Sequence, residues 1–454
     1  MTLSSRARRG VWLIASLACA VGATAASTAS DSATDALREA LGPRPGFAQP
    51  DPKRVALGHS LFYDPVLSGN RNISCATCHH PTLGTGDGVS LSLGEGGIGL
   101  GPDRIADPDN PPEQRIPRNA QALFNLGADS ITTFFHDGRL EVDPNHPDGI
   151  RTPLGEDMLG GFASALSAQA MFPVLSPDEM AGHYAENDIA LAVRQGRITG
   201  PDGAWERVTQ RVTEIPAYRA QLDAIYGPGA AVDFTDIANL IADFIAVEWR
   251  ADASAFDRAL LGGEPLEPAA QRGLSVFYGA GNCASCHSGW LHTDQAFHAI
   301  GVPQFGPGKA ARFESHQRDE GRLRVTGNEA DRFRFRTPSL RNVALTAPYG
   351  HTGAFATLED MIAHHVNVPQ SNALYDTTQA ILPTFAGASR DWQAWSDKAQ
   401  RADITARAEI QPVSLSEAEV SDLVAFLHSL TDTSWRVRGL GVPDTVPSGL
   451  PLDQ

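Results

Sequence analysis

Cysteine is scarce in this chain of 454 residues, and nothing is left over for a structural disulfide. Cys19 lies among the first twenty residues. The other four of the five make two copies of one pentapeptide, Cys75-Ala76-Thr77-Cys78-His79 and Cys283-Ala284-Ser285-Cys286-His287. Long apolar runs are missing as well: the stretch from Val11 to Val21 falls short of the ~20 apolar residues that cross a bilayer, and no later stretch approaches that length, so no membrane span is expected. Basic excess is the third absence. A formal net charge of −17 argues against nucleic acid as a partner and favours a basic partner surface.

What is present is the C-x-x-C-H spacing, twice. A zinc site would need four ligands closed around one ion, and a redox dithiol would need a βαβ context that neither neighbourhood offers. Covalent haem explains the pattern directly: two thiols add to the vinyl groups of one haem, and the adjacent histidine is held beneath the iron as an axial ligand. The sequence therefore predicts two c-type haems, one on Cys75, Cys78 and His79 and one on Cys283, Cys286 and His287.

The first 25 residues read as a secretory signal, with Arg6, Arg8 and Arg9, then the apolar stretch, then the small residues Ala23-Thr24-Ala25. Haem of the c type is attached outside the bacterial cytoplasm, so this leader and the pentapeptides agree on a periplasmic address. An internal repeat follows: Arg54 to Tyr63 before the first pentapeptide resembles Arg272 to Tyr278 before the second, and each is expected to open a helix leading into its haem site.

Between them, Ile237, Leu240, Ile241, Phe244 and Ile245 recur on one helical face, and Ser416 with Glu419 forms a capping-box pattern ahead of Leu423, Phe426, Leu427 and Leu430. Residues 84–117, rich in Gly, Pro and Asp, should form a long irregular loop beside the first haem. The expected fold is mainly α, two cytochrome c-like haem domains packed against each other with long irregular loops. The expected boundaries are 1–25 leader, 26–262 N-terminal haem domain, 263–438 C-terminal haem domain and 439–454 tail.

Five motifs in order carry a resemblance over residues 50–430: the paired pentapeptides, Arg118-Asn119, Phe135-His136-Asp137-Gly138-Arg139, Pro177-Asp178-Glu179-Met180 and Thr337-Pro338-Ser339-Leu340-Arg341-Asn342. Together they resemble the bacterial di-haem cytochrome c peroxidases and the MauG-type enzymes. The resemblance implies that peroxide reacts at the N-terminal haem, with Glu179 moving a proton between the peroxide oxygens, and Gln169 and Pro173 beside it in the distal pocket. Di-haem peroxidases also supply a distal histidine from the loop after the first pentapeptide. Between Pro81 and Phe135 this chain has neither His nor Met, which implies an open, five-coordinate first haem, with Met158 and Met171 the remaining candidate ligands.

For the second haem, the family's offsets from Thr357-Leu358-Glu359-Asp360 and from Pro348 both arrive at His365, where relatives have methionine or tyrosine; His364 and Met361 are the neighbouring alternatives. Two imidazoles lower a haem's potential relative to a Met/His pair. His136 stands where the family has an inter-haem tryptophan, and residues 140–168 look like an insertion. One calcium ion is implied between the domains, held by the Asn119 side chain and the carbonyls of Thr346 and Pro348. Phe297-His298, Gly301, Arg341-Asn342 and Trp290 match segments near the second haem, with packing and propionate pairing as their plain roles.

The resemblance thus implies a periplasmic di-haem peroxidase reducing hydrogen peroxide at the His79 haem, with the His287/His365 haem relaying or storing oxidising equivalents. The final reductant is an electron-donor protein, a small cytochrome c or cupredoxin, or, as in MauG-type enzymes, a side chain of a partner protein substrate. A rival of another class is a non-catalytic di-haem electron carrier.

Overall fold

The computed structural model describes residues 34–310, 314 and 316–453; the expected leader lies outside them. The chain is mainly helical, with three small antiparallel sheets among the described residues. No helix among them is long and apolar enough to cross a membrane.

The repeated segment forms the same helix twice, Pro52–Tyr63 and Pro268–Tyr278, each started by proline in its first turn and each ending in a Gly-x-Ser-x-Phe-Tyr run. In both copies the glycine is where a second helix crosses. A Cβ on Gly58 would collide with the Leu240 carbonyl, and one on Gly273 with the Asp422 carbonyl. The crossing helices are Phe234–Glu248, opened by the Asp233/Asp236 capping box, and Glu417–Ser429, opened by Ser416 and Glu419. Phe62 then meets Phe244 with ring centroids 5.3 Å apart, and Phe277 meets Phe426 at 5.0 Å. Burying each of these rings contributes roughly 1.5–3 kcal/mol, so the helix pair is a main source of stability in each half.

One core gathers buried residues from Leu57 to Ala251 and a second those from Phe256 to Leu430, but the chain ends are exchanged. Leu41, in the helix over 34–41, packs in the second core, and the Trp290 indole donates to the Gly42 carbonyl at 2.8 Å. Conversely Trp435 and Val446 join the first core. Residues 439–453, expected as a tail, run back along the first half: Glu248 accepts from the Leu440 and Gly441 amides, Ser448 donates to Asp64, and Asp453 accepts from Thr77 inside the first pentapeptide.

Residues 140–151 extend the segment before them into a three-stranded sheet, Thr133–Phe134, Leu140–Val142 and Ile150–Arg151. Opposite it, Phe297–His298 pairs with Phe335–Arg336. Gly138, at φ +62°, is the contact point, because a side chain there would run into Phe297 and Arg322. Buried ions join the halves around it: Arg118 bonds Asp319 through two nitrogens at 2.6 and 2.8 Å and Asp137 at 2.7 Å.

Candidate active site

Ser74 caps a one-turn helix, Cys75–Cys78, that sets both thiols and leads into His79. The second pentapeptide makes a 3-10 turn, Cys283–Ser285, instead. In both, the histidine's Nδ1 donates to a carbonyl a few residues on: His79 to Thr85 at 3.0 Å and His287 to His292 at 3.1 Å. This bond selects one tautomer and leaves Nε2 as the nitrogen able to ligate. Burial lowers the pKa of His79, against the pull of the Thr85 carbonyl, and takes that of His287 down to about 4 with help from His365, so both imidazoles are in the neutral form that binds metal. The four cysteines form no disulfides.

Across from His287 stands His365, on the helix Leu358–Val366, with ring centroids 6.5 Å apart. Two metal–imidazole bonds of about 2.0–2.1 Å plus the ring half-widths come to roughly that separation. His365 Nδ1 is held by the Met361 carbonyl at 2.9 Å, so again Nε2 is the nitrogen left over. Its neighbour His364 is different: it is fully buried, Nδ1 meets Ser371 Oγ at 3.1 Å and Nε2 meets the Ile300 carbonyl at 2.7 Å, so both nitrogens are committed. Met361 sits beside the small cluster around Phe305 and Phe355.

The residues implied at the first haem's distal side lie on three consecutive short turns. Gln169 is in the helix Ala165–Ala170, Pro173 opens the turn Pro173–Leu175, and Glu179 sits in the π-type turn Pro177–Ala181, whose amides at 179, 180 and 181 all converge on the Ser176 carbonyl. Glu179 is half-buried, and its charge is felt at the Cys78 sulfur. Burial raises its pKa and Asp178 adds to the rise, while Lys309 and Arg139 oppose it. A carboxyl raised in this way exchanges protons nearer neutrality, as acid–base work requires. Met171 is fully buried in the first core, its carbonyl taken by the Trp205 indole at 2.9 Å, and Met158 packs on the same core.

The family described as di-haem cytochrome c peroxidase matches residues 52–265. The methylamine utilization protein MauG of Paracoccus denitrificans is 30% identical over 405 residues, which cover 84% of this chain and 89% of that protein. The chain belongs to the di-haem cytochrome c peroxidase and MauG family. Cytochrome c551 peroxidase of Nitrosomonas europaea is 30% identical over 307 residues, covering 67% of this chain and 70% of that one. The crystal structure of a MauG-like protein associated with microbial copper homeostasis superposes with a TM-score of 0.57 at 25% identity, covering 87% of this chain and 95% of that one. The protein is accordingly a di-haem oxidoreductase of the peroxidase type.

Members of the di-haem family carry two c-type haems, and both sites here fit them by the chemistry of their donors: an unbridged thiol pair and a neutral, oriented imidazole. Arg341 adds to the fit at the second site. Its Nη2 is held by Asp257, while Nε and Nη1 are buried with no partner in the polypeptide, as donors for a haem propionate would be. Asn342 has a packing role, exchanging hydrogen bonds with Asp432 at 2.6 and 3.0 Å. Trp290 is buried in the second core beneath Arg44, and Phe297 lies against Gly138.

His136 lies on the strained turn after Phe135, at φ +61°, and its carbonyl accepts from the Arg336 amide at 2.7 Å. Burial, then Arg118, His351 and Arg336, drives its pKa well down, so its ring is neutral. Phe335 stacks on His351 nearby, with centroids 3.7 Å apart. Two cations at this junction have no sequence signature. Arg336, lowered to about 10 by burial, gives its guanidinium to the Phe135 and Thr337 carbonyls, and Lys309 faces the charge of Glu179 from a glycine-rich stretch.

Two of the residues that the family implies for calcium, Asn119 and Pro348, lie near each other. The Asn119 amide nitrogen donates to the Val89 carbonyl at 2.8 Å, which leaves its oxygen as the free acceptor. Both Asn119 and the ring of Pro348, which follows a cis peptide bond, lie 3.1 Å from where a Cβ on Gly353 would sit. An amide oxygen and the neighbouring carbonyls of Thr346 and Pro348 are the hard donors that calcium prefers.

Proposed function

We propose that this protein is a periplasmic di-haem peroxidase with two unlike haem sites. Hydrogen peroxide is reduced at the site built on Cys75, Cys78 and His79, and the site built on Cys283, Cys286, His287 and His365 relays or stores oxidising equivalents. The irons supply the redox chemistry when the haems are bound. Glu179 takes a proton from one peroxide oxygen and delivers it to the other, so that the O–O bond parts with water as the leaving group. Its raised pKa supports that role, and Gln169 and Pro173 shape the same pocket. A calcium ion held by Asn119, Thr346 and Pro348 braces the junction.

The observation that carries this reading is the 6.5 Å pairing of His287 with His365, each with Nδ1 already spent, set against a carboxyl at the other site. The committed nitrogens of His364 support His365 as the ligand. A bis-imidazole haem has a low potential. That favours a second reading for the final reductant, a side chain on a partner protein as in MauG-type chemistry, over a small cytochrome c or cupredoxin donor.

Stoichiometric peroxide added to the diferric protein tests the reading by EPR. One high-spin and one low-spin ferric signal are expected at rest, with the high-spin signal consumed by peroxide. Two low-spin signals indifferent to peroxide would make the protein an electron carrier instead. In His365→Ala the low-spin signal should become high-spin.

A further inference from the structure

The long loop after the first pentapeptide carries a buried acid that the peroxide chemistry does not use. Glu95 is fully buried. Its Oε1 accepts from the side-chain amides of Asn70 at 2.7 Å and Asn72 at 2.9 Å, while its Oε2 is buried with no hydrogen-bond partner. A buried acceptor left without a donor is costly, so it calls for a partner. His183 stands close by, its Nδ1 3.7 Å away. Glu186 completes the group: one ligand atom from each of Glu95, His183 and Glu186 can be chosen so that all lie within 4.8 Å of one another.

The surroundings hold these donors still. Glu186 Oε1 accepts from the His183 amide at 2.6 Å and from Asn70 at 2.8 Å, and its Oε2 accepts from Asn110 at 3.0 Å. Asp178 approaches His183 Nε2 at 3.2 Å, and its second oxygen is oriented by Gln114 at 2.7 Å. Gly182, at φ +86°, leaves no room for a Cβ, which would collide with Glu186 Oε1. At 3.7 Å His183 leaves Glu95 Oε2 beyond hydrogen-bond reach, and three carboxylates around one imidazole are an excess of negative charge that a divalent cation would balance.

We propose that Glu95, His183 and Glu186, with Asp178 beside them, form a site for a first-row divalent cation that tolerates mixed carboxylate and imidazole ligation, Mn²⁺ or Zn²⁺. It differs in place and donors from the calcium position at Asn119. The site is a positioning device for the turn that carries Glu179: the Glu95 amide donates to the Asp178 carbonyl at 3.0 Å, and Gly94 is pressed against that same carbonyl. A cation bridging loop and turn would fix Asp178, and with it the neighbouring Glu179. This consequence rests on the role proposed for Glu179, whereas the binding does not.

The test uses the holoprotein, stripped with a chelator and kept in saturating Ca²⁺. Mn²⁺ is followed by loss of its free EPR signal and Zn²⁺ by calorimetry. One equivalent of Mn²⁺ or Zn²⁺ should bind, Glu95→Gln and Glu186→Gln should each weaken it by about tenfold or more, and added cation should speed the peroxide reaction of the wild type but not of Glu186→Gln. Absence of binding, or binding equal in all three proteins, overturns the site. Binding without a change in the peroxide rate overturns its positioning role. If Glu179→Gln reacts normally with peroxide, the functional reading fails, and Mn²⁺ binding still reports on the site independently.

Discussion

Gly58 and Gly273 occupy the same place in two copies of one helix, each pressed against a carbonyl of a crossing helix and followed by a phenylalanine that meets another phenylalanine across the joint. Each copy then leads to a thiol pair and a histidine whose Nδ1 is tied to the backbone. Beyond the turn type of the pentapeptides, the two halves diverge in the segments that carry the other candidate site residues. The second half presents His365 on a regular helix, rigidly placed by its Met361 hydrogen bond. The first presents three broken turns bearing Gln169, Pro173 and Glu179. On the proposed reading one scaffold serves two chemistries, because the proximal side is set locally by the pentapeptide and the distal side by whatever segment the tertiary fold delivers there.

This contrast is most sharply broken at Glu179. Glu179→Gln should slow the peroxide reaction by about 10²–10⁴-fold in stopped-flow measurements and leave both haem spectra at rest unchanged. Removing a charge from the buried group that joins the halves comes next: Asp319→Ala leaves Arg118 with Asp137 as its remaining carboxylate and should cost about 3–5 kcal/mol in denaturant unfolding.

Smaller, and aimed at the repeat itself, Gly58→Ala and Gly273→Ala should each destabilise by about 1–3 kcal/mol, since neither crossing can admit a methyl without moving backbone. A tolerated Gly273→Ala would show that the two joints are not equivalent. The smallest effect is on pH. Glu179 must be ionised to accept a proton, so the rate should fall as pH drops through its raised pKa. Arg139 holds that pKa down, so Arg139→Gln should move the acid limb to higher pH.

Much of this molecule was legible in the chain because its signals are local. C-x-x-C-H specifies its chemistry within two turns of backbone, the repeat before it reads as a helix twice, and Ser416 with Glu419 marks a helix start that the structure places there. Motif offsets also led to His365 and left His364 as its rival. What distinguishes them is where their other nitrogens go, to the Met361 carbonyl in one case and to Ser371 and Ile300 in the other, and only packing sets that.

The same limit applies to the chain ends. Residues 439–453 look like a tail in composition, yet they strap the first half through hydrogen bonds to Asp64, Thr77 and Glu248, partners that no periodicity relates to them. Sequence by itself thus determined the cofactor class and the duplicated helical scaffold, since each depends on residue types a few positions apart, and through a family resemblance it named the candidate proton carrier. Tertiary structure alone decided which histidine is free to ligate, how Arg336 and Lys309 enter the junction, and that Glu95 meets His183. Each of those outcomes depends on desolvation and contact between segments far apart in the chain, and linear order does not encode either one.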